Sequence, residues 1–96
     1  MAKGYWIAHI DVTDMEGFRD YIPMSTRAIE ESGGRFLVRG GSAKSAEGDM
    51  RPRHVVTEFP SYEIALKCYR SQHYAAARTV RQAHSAADLT IAEGFE

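Results

Sequence analysis

A short strand flanked by glycine pairs occupies residues 33–41, which read GGRFLVRGG. Within it two arginines, Arg35 and Arg39, alternate with apolar residues. Because successive side chains of a strand point to opposite faces, this spacing predicts that Arg35, Leu37 and Arg39 share one face of a sheet. Guanidinium groups on a strand face need water, carboxylates or an anionic ligand as partners. The segment therefore predicts a strand whose charged face contacts one of these.

The segments outside this strand predict three more strands and two helices. Aromatic and β-branched residues are enriched in the strand segments, and turn residues separate them. Between the second and third strands, the polar residues 42–50 predict a hairpin tip, with a brief strand at 43–46 as an alternative. The predicted strands are Tyr5–Val12, Arg35–Gly40, Arg53–Phe59 and Ala86–Glu93.

Capping residues predict where the two helices begin. Thr13 with Glu16 three residues later forms a capping-box pattern, so the first helix is expected to start at Asp14 and to end at Gly33-Gly34. Pro23 lies inside this helix and is expected to kink it or divide it into two pieces. The second helix follows Ser61 as N-cap and runs to about His84, with a break or a second cap at Ser71.

The order β-α-β-β-α-β predicts an α+β, ferredoxin-like fold spanning residues 1–96 as a single domain. Right-handed crossovers then give an antiparallel four-stranded sheet in the order 4-1-3-2, with both helices on one face. Apolar residues occupy both faces of the strands, so the face that the helices leave open must also be covered. The simplest cover is another copy of the chain, which predicts a homodimer with two sheets face to face.

Composition excludes several classes of function. A formal net charge of −1 over 96 residues gives no basic surface for nucleic acid or an anionic membrane. Cys68 is the single cysteine, is expected in the core, and cannot form an internal disulfide, which favours the cytoplasm. No segment approaches the length of a membrane span. Phosphate-loop, zinc and haem patterns are lacking, so neither a metal nor another cofactor is expected.

Four segments together resemble a family of small bacterial proteins known only as a domain of unknown function. They are GYWIAHIDVTD, GGRFLVRGG, RPRHVVTEFPS and ADLTIAEGFE, which cover most of the chain in order. That family belongs to the dimeric α+β barrel superfamily, which includes small monooxygenases and ligand-binding regulator domains. The resemblance implies a ferredoxin-like protomer and a homodimer that encloses a cavity. It implies no particular reaction.

Strand alternation selects the candidate site on the sheet face away from the helices. Two registers of the first and third strands remain open, one with His9 opposite His54 and one with Asp11 opposite His54. In either register a histidine lies near another titratable group and could act as an acid or base. The expected face comprises Tyr5, Ile7, His9, Asp11, Arg35, Leu37, Arg39, His54, Val56, Glu58, Leu89, Ile91 and Glu93.

Two functional hypotheses follow from this face. In the first, the protein is a cofactor-free enzyme with His9 and His54 as acid and base, while Arg35, Arg39, Asp11, Tyr5 and Glu58 bind a small, anionic substrate. In the second, the same dimer is a non-catalytic module that binds a small metabolite. A structural alternative stands beside both: the arginines form ion pairs with Glu58, Glu93 or the partner chain, and the histidines are hydrogen-bonded core residues.

Overall fold

The computed structural model describes residues 2–96. It contains a four-stranded sheet with helices on one face. The predicted order is confirmed, with each predicted helix divided into two. None of the described helices is long and apolar enough to cross a membrane. The elements are β1 (Gly4–Val12), α1 (Met15–Phe18), α2 (Tyr21–Glu31), β2 (Arg35–Arg39), β3 (Arg53–Phe59), α3 (Tyr62–Arg70), α4 (Gln72–His84) and β4 (Ser85–Glu93).

The strands lie in the order β2-β3-β1-β4, and every neighbouring pair is antiparallel. Read from the other edge this is the predicted 4-1-3-2 order, so the α+β ferredoxin-like fold is confirmed. In the register of β1 and β3, Tyr5 lies opposite Glu58 and His9 opposite His54. The alternative register, with Asp11 opposite His54, is wrong.

The first predicted helix begins and breaks at different residues from those expected. Asp14, not Thr13, is the N-cap of α1, and its carboxylate accepts a hydrogen bond of 3.4 Å from the Gly17 amide. The helix divides before Tyr21 instead of at Pro23. Pro23 is accommodated in the first turn of α2, where its missing N–H has no partner to lose. Gly33, at φ 77°, ends α2 as predicted.

Two serines cap the helices of the second half. The Ser61 hydroxyl accepts a hydrogen bond from the Ile64 amide at 3.1 Å, which confirms the predicted N-cap of α3. Ser71 has extended backbone angles, ends α3 and caps α4 through the Tyr74 amide at 3.2 Å. Residues 43–46 form no strand.

Trp6 is the centre of the core between the sheet and the helices. Its ring centroid lies 4.7 Å from that of Tyr74 and 5.0 Å from that of Phe59. Its indole N–H donates a 2.9 Å hydrogen bond to the Ala65 carbonyl, which joins β1 to α3. Cys68 is buried in the same cluster, as expected.

A β-bulge in β2 corrects one predicted side-chain direction. Arg35 lies opposite Glu58, but the register shifts between Phe36 and Val38, and Arg39 therefore lies opposite Val55. Since residues directly opposite each other share a face, Arg39 points towards the helices and not to the face of Arg35. The strict alternation that placed the two arginines together fails because a bulge inserts one unpaired residue, Leu37.

The two faces of β4 are the reverse of those predicted. Leu89 and Ile91 pack against the core beneath the helices, whereas Thr90 and Ala92 lie opposite Ile7 and Tyr5 on the other face. The prediction grouped Leu89 and Ile91 with the charged face, although the alternate set of this strand contains the polar residues Asp88 and Thr90. The larger side chains occupy the helix side, where burial removes more apolar surface from water.

Candidate functional site

Tyr5, Arg35 and Glu58 form a connected group on the sheet face away from the helices, which we call the open face. The Glu58 carboxylate accepts hydrogen bonds from the Tyr5 hydroxyl at 2.9 Å and from Arg35 Nε at 3.0 Å. The Tyr5 hydrogen bond, and then the Arg35 contact, lower the pKa of Glu58 below its ordinary value. These three predicted ligand-binding residues are therefore hydrogen-bonded to one another within one chain.

His9 and His54 form a hydrogen-bonded pair beside this group. Their Nδ1 atoms lie 2.8 Å apart, with the rings nearly perpendicular at 76°. One Nδ1 can donate a hydrogen bond to the other, and the tautomers of the two rings decide which of them donates. The structure thus brings together the two predicted acid–base residues.

Asp11 lies at the end of β1 and contacts a residue that sequence reasoning missed. Arg51 Nε lies 3.1 Å from a carboxylate oxygen of Asp88, and Arg51 Nη1 lies 3.7 Å from one of Asp11. Arg51 precedes β3 in the polar connection, where strand alternation gives no signal. Asp11 is thereby held in an ion-pair group within its own chain.

A second site lies on the opposite side of the sheet, where Arg39 points. Arg39 Nη2 donates to the Ile22 carbonyl at 3.0 Å and to the Ser25 hydroxyl at 3.2 Å. Its guanidinium carbon lies 3.7 Å from the centre of the Phe36 ring. Burial, and next the charge of Arg53, lower the pKa of Arg39. Arg39 is therefore held in a partly buried position close to a second cation.

The cavity that Arg39 enters lies between the sheet and the helices, and we call it the interior cavity. Its volume is about 20 Å³, which is space for roughly one water molecule. Arg53 and Arg81 also line it. The remaining wall is formed mainly by apolar and aromatic residues: Trp6, Ala8, Ile10, Phe18, Tyr21, Ile22, Ser25, Ile29, Phe36, Val55, Thr57 and Leu89.

Buried polar atoms without a partner are concentrated in this cavity. Nε of Arg53, Nε of Arg81 and Oγ1 of Thr57 have no hydrogen-bond partner within the described residues 2–96. All three belong to residues that line the interior cavity. Thr57 and Arg81 are only 1% and 5% exposed. Since buried polar groups are almost always paired, this concentration indicates a place for a bound water or a ligand group.

A pair of tyrosines adjoins the cavity. The hydroxyl oxygens of Tyr21 and Tyr74 lie 2.6 Å apart. Burial raises the pKa of both groups, while the charge of Arg81 opposes that increase. Both phenols are therefore neutral at physiological pH, and one of them donates to the other.

Sequence reasoning missed Arg53 and Arg81, although signals for both were present. Arg53 alternates with Val55, Thr57 and Phe59, on the strand face opposite that of His54, Val56 and Glu58. Arg81 continues the inner stripe of α4, where the buried residues are Tyr74, Ala77 and Arg81. A cation in a stripe of buried residues is the signal that points to this site.

Several solved structures share the fold at low sequence identity. A protein of unknown function from Rhodopseudomonas palustris is 16% identical, with a TM-score of 0.79 and coverage of 99% of this chain and 84% of that one. A cofactor-independent oxygenase, SnoaB from Streptomyces nogalater, is 8% identical, with a TM-score of 0.68 and coverage of 100% and 96%. An antibiotic biosynthesis monooxygenase is 16% identical, with a TM-score of 0.52 and coverage of 97% of both chains.

These similarities establish the α+β ferredoxin-like fold, because they extend over nearly the full length. No curated protein matches the sequence. Residues 3–95 match a family described as a domain of unknown function, DUF1330. The match covers almost every residue, so the chain belongs to the DUF1330 family.

Proposed function

We propose that this protein binds a small molecule in the interior cavity between the sheet and the helices. The supporting observation is the concentration of unpartnered polar atoms there: Arg53 Nε, Arg81 Nε and Thr57 Oγ1. By contrast, the charged residues Arg35, Glu58 and Asp11 on the open face have partners in their own chain. A ligand is therefore better accommodated in the interior cavity than on the open face.

The wall of the cavity supports the same proposal. Ligand sites are usually concave and mostly apolar, with a few polar groups that orient the ligand. The interior cavity has this composition, with aromatic side chains around its polar atoms. The fold is similar to that of a cofactor-independent oxygenase, which favours a small-molecule function without a tightly bound cofactor by analogy.

The protein is proposed to act as a homodimer in the cytoplasm. The open face carries Ile7 and Val56 at its centre, and Leu37 and Val38 are 47% and 44% exposed at its β2 edge. A second copy packed sheet to sheet would cover these apolar residues, leaving the helices and the interior cavity on the outside. The single free thiol, Cys68, favours a reducing compartment.

A cavity-filling variant tests the binding proposal. Val55 lines the interior cavity without contributing a polar atom, so Val55→Phe fills the space while all three arginines remain. A metabolite library is first screened for compounds that raise the melting temperature of the natural protein. We expect each such compound to lose most of its stabilising effect on Val55→Phe.

Val80→Phe is the matched control, because Val80 lies on α4 but does not line the cavity. Both variants are checked for native folding by circular dichroism. Retained binding in Val55→Phe would contradict the proposed location. If no compound stabilised the natural protein, the proposed function itself would be wrong.

Acid–base catalysis at the open face is a second candidate function. It is favoured by the 2.8 Å contact of His9 Nδ1 with His54 Nδ1, in which a proton can move between two groups active near neutral pH. Arg35, Tyr5, Glu58 and Asp11 would then orient a substrate in a cavity shared by two protomers.

Two alanine variants distinguish the candidate sites. With a compound identified in the screen, calorimetry should show that Arg39→Ala weakens binding at least tenfold while His9→Ala leaves the affinity unchanged. The reverse pattern would favour the open face and acid–base chemistry. The measurement is made below the melting temperature of each variant, so that any loss of stability does not enter the affinity.

A further inference from the structure

We propose that the ligand of the interior cavity is a small organic anion, a carboxylate with an apolar body, bound by Arg39, Arg53 and Arg81. This inference rests on the proposed function, because it names the class of ligand that the same cavity takes.

Among the residues that the structure describes, three arginines and no acidic residue line the interior cavity. Ion pairs within residues 2–96 join Arg35 to Glu58 and Arg51 to Asp88, but none includes Arg39, Arg53 or Arg81. These three side chains instead converge on one cavity. Buried cations without a counter-charge are strongly unfavourable. Arg81 is 5% exposed, whereas Arg39 and Arg53 are partly buried, so this cost falls chiefly on Arg81. A negatively charged ligand would offset the burial of Arg81 and the repulsion between Arg39 and Arg53.

Residues that line the interior cavity also carry hydrogen-bond donors without a partner in the described part of the chain. Nε–H of Arg53 and Nε–H of Arg81 are unpartnered, and the Thr57 hydroxyl can donate as well. Guanidinium groups offer parallel donors that match the two oxygens of a carboxylate. Arg39 is already oriented by the Ile22 carbonyl and the Phe36 ring. The donors are thus in place before a ligand arrives.

The rest of the wall of the interior cavity is mainly apolar. Phe18, Phe36, Ile29 and Leu89 line the cavity beside the arginines, so a carboxylate would meet the cations while its hydrocarbon part contacts these side chains. Phosphate has four oxygens and no hydrocarbon part, so it would leave some oxygens against this apolar surface. The cavity therefore favours an organic carboxylate over phosphate.

The cavity must widen to admit more than a carboxylate group, since its volume is about 20 Å³. Its wall includes Phe18 from α1, a helix of four residues. Displacement of this single turn would enlarge the cavity without disturbing the sheet. We therefore expect ligand contacts at Phe18 as well as at the arginines.

Matched pairs of probes test the inference. The melting temperature is measured with sodium benzoate, benzamide and sodium phosphate at constant ionic strength, and acetate with acetamide forms a smaller pair. Benzoate should raise the melting temperature in a saturable way, by roughly 6–11 °C at ten times its dissociation constant. Benzamide has nearly the same shape without the charge and should have little effect.

Arg81→Met identifies the site. Because Arg81 is buried without a counter-charge, we expect this variant to melt no lower than the natural protein in the absence of ligand and to lose the response to benzoate. Arg78→Met is the control, because Arg78 is on the same helix but donates to the Tyr69 carbonyl outside the cavity. It should keep the benzoate response.

A second measurement does not depend on a variant. The Nε–H resonances of Arg53 and Arg81 in the ¹⁵N spectrum of the natural protein should shift with benzoate and not with benzamide. If these resonances were unmoved, or if Arg81→Met kept the benzoate response, the carboxylate inference would be wrong.

The outcomes separate this inference from the proposed function. If benzamide or phosphate stabilised the protein as well as benzoate, the carboxylate class would be wrong. If only neutral compounds from the library bound, and Val55→Phe abolished their effect, the proposed function would stand without this inference. If neither the library nor any probe bound, both would fail.

Discussion

Thr57 is a polar residue at a position that an apolar side chain would suit. It lies opposite Trp6 in β1 and opposite Phe36 in β2, beneath the helices, and it is 1% exposed. Its hydroxyl has no partner within residues 2–96. An unpaired buried hydroxyl costs about 1–3 kcal/mol. A residue that lowers stability in this way is expected where a ligand makes use of its hydrogen bond.

Thr57→Val should therefore stabilise the ligand-free protein. Valine has nearly the same shape but needs no hydrogen bond, so we expect the free energy of unfolding in urea to rise by about 1 kcal/mol. Thr79→Val is the control, because the Thr79 hydroxyl is exposed and donates to the Ala75 carbonyl. A decrease in stability for Thr57→Val would show that the hydroxyl has a partner in solution.

Glu58 provides a prediction of pH dependence at a single residue. Its pKa is lowered below the ordinary 4.5, chiefly by the Tyr5 hydrogen bond. Such a carboxylate contributes stability above its unfolded pKa, and this contribution is lost as the pH falls through the folded pKa. Tyr5→Phe should raise the pKa of Glu58 in an NMR titration.

The same variant should be less stable than the natural protein at pH 7, and the difference should shrink as the pH falls below about 4. Tyr62→Phe is a control on α3, outside this hydrogen-bonded group. An unchanged Glu58 titration in Tyr5→Phe would mean that the Tyr5 hydrogen bond does not lower the pKa, which would leave Arg35 and Lys3 as the cause.

At the scale of the elements, two joints matter: the bulge in β2 directs Arg39 into the cavity, and the contact between β1 and α3 sets how closely these two elements approach. The bulge at Leu37 turns Arg39 towards the helices, where α2 supplies its hydrogen-bond acceptors. The start of β1 lies so close to the start of α3 that Gly4 leaves no space for a side chain against Ser61. Both joints depend on local backbone geometry.

Gly4→Ala should be strongly destabilising. An added methyl group would overlap the Ser61 carbonyl oxygen and lie 2.7 Å from the Tyr62 Cα. Because backbone atoms cannot move aside without shifting a strand or a helix, we expect a loss of roughly 2–4 kcal/mol in the free energy of unfolding. Chemical denaturation followed by circular dichroism measures it.

Gly41→Ala is the control for this prediction. No atom lies within 4 Å of the methyl position at Gly41, which is in the exposed connection after β2. Its stability should stay within about 0.5 kcal/mol of the natural protein. Equal stability of the two variants would mean that β1 and α3 do not approach as described.

At the scale of the whole molecule, the sheet has two functions. One face supports the helices and the interior cavity, and the open face is proposed to meet a second copy. The charged groups of the open face are paired within one chain around an apolar centre that contains Ile7 and Val56. Such a surface can be buried against a copy of itself without leaving an unpaired charge.

Val56→Glu should convert the proposed dimer into a monomer. A carboxylate at the centre of a two-fold interface would lie near its copy in the partner, and the two like charges would be buried together. Sedimentation should then give a mass near 10.7 kDa, compared with about twice that value for the natural protein. Thr79→Glu, on an exposed part of α4, should remain a dimer. A monomeric natural protein would refute the proposed assembly.

Local patterns determined the element order of this protein. The caps at Ser61 and Ser71, the end of α2 at Gly33 and the four strands were predictable, because capping and alternation involve residues close in sequence. The sheet order followed from crossover handedness. Pairing of His9 with His54 was one of two predicted registers.

Only the tertiary structure decided where the charges meet. The bulge reversed Arg39, since one unpaired residue moves all later side chains of a strand to the other face. The faces of β4 depended on which set of apolar side chains the helices could bury. Arg81 from α4 and Arg53 from β3 line one cavity only because the helices pack across the sheet. Long-range packing of this kind leaves no pattern in a single segment of the sequence. The interior cavity could therefore be recognised only in the tertiary structure.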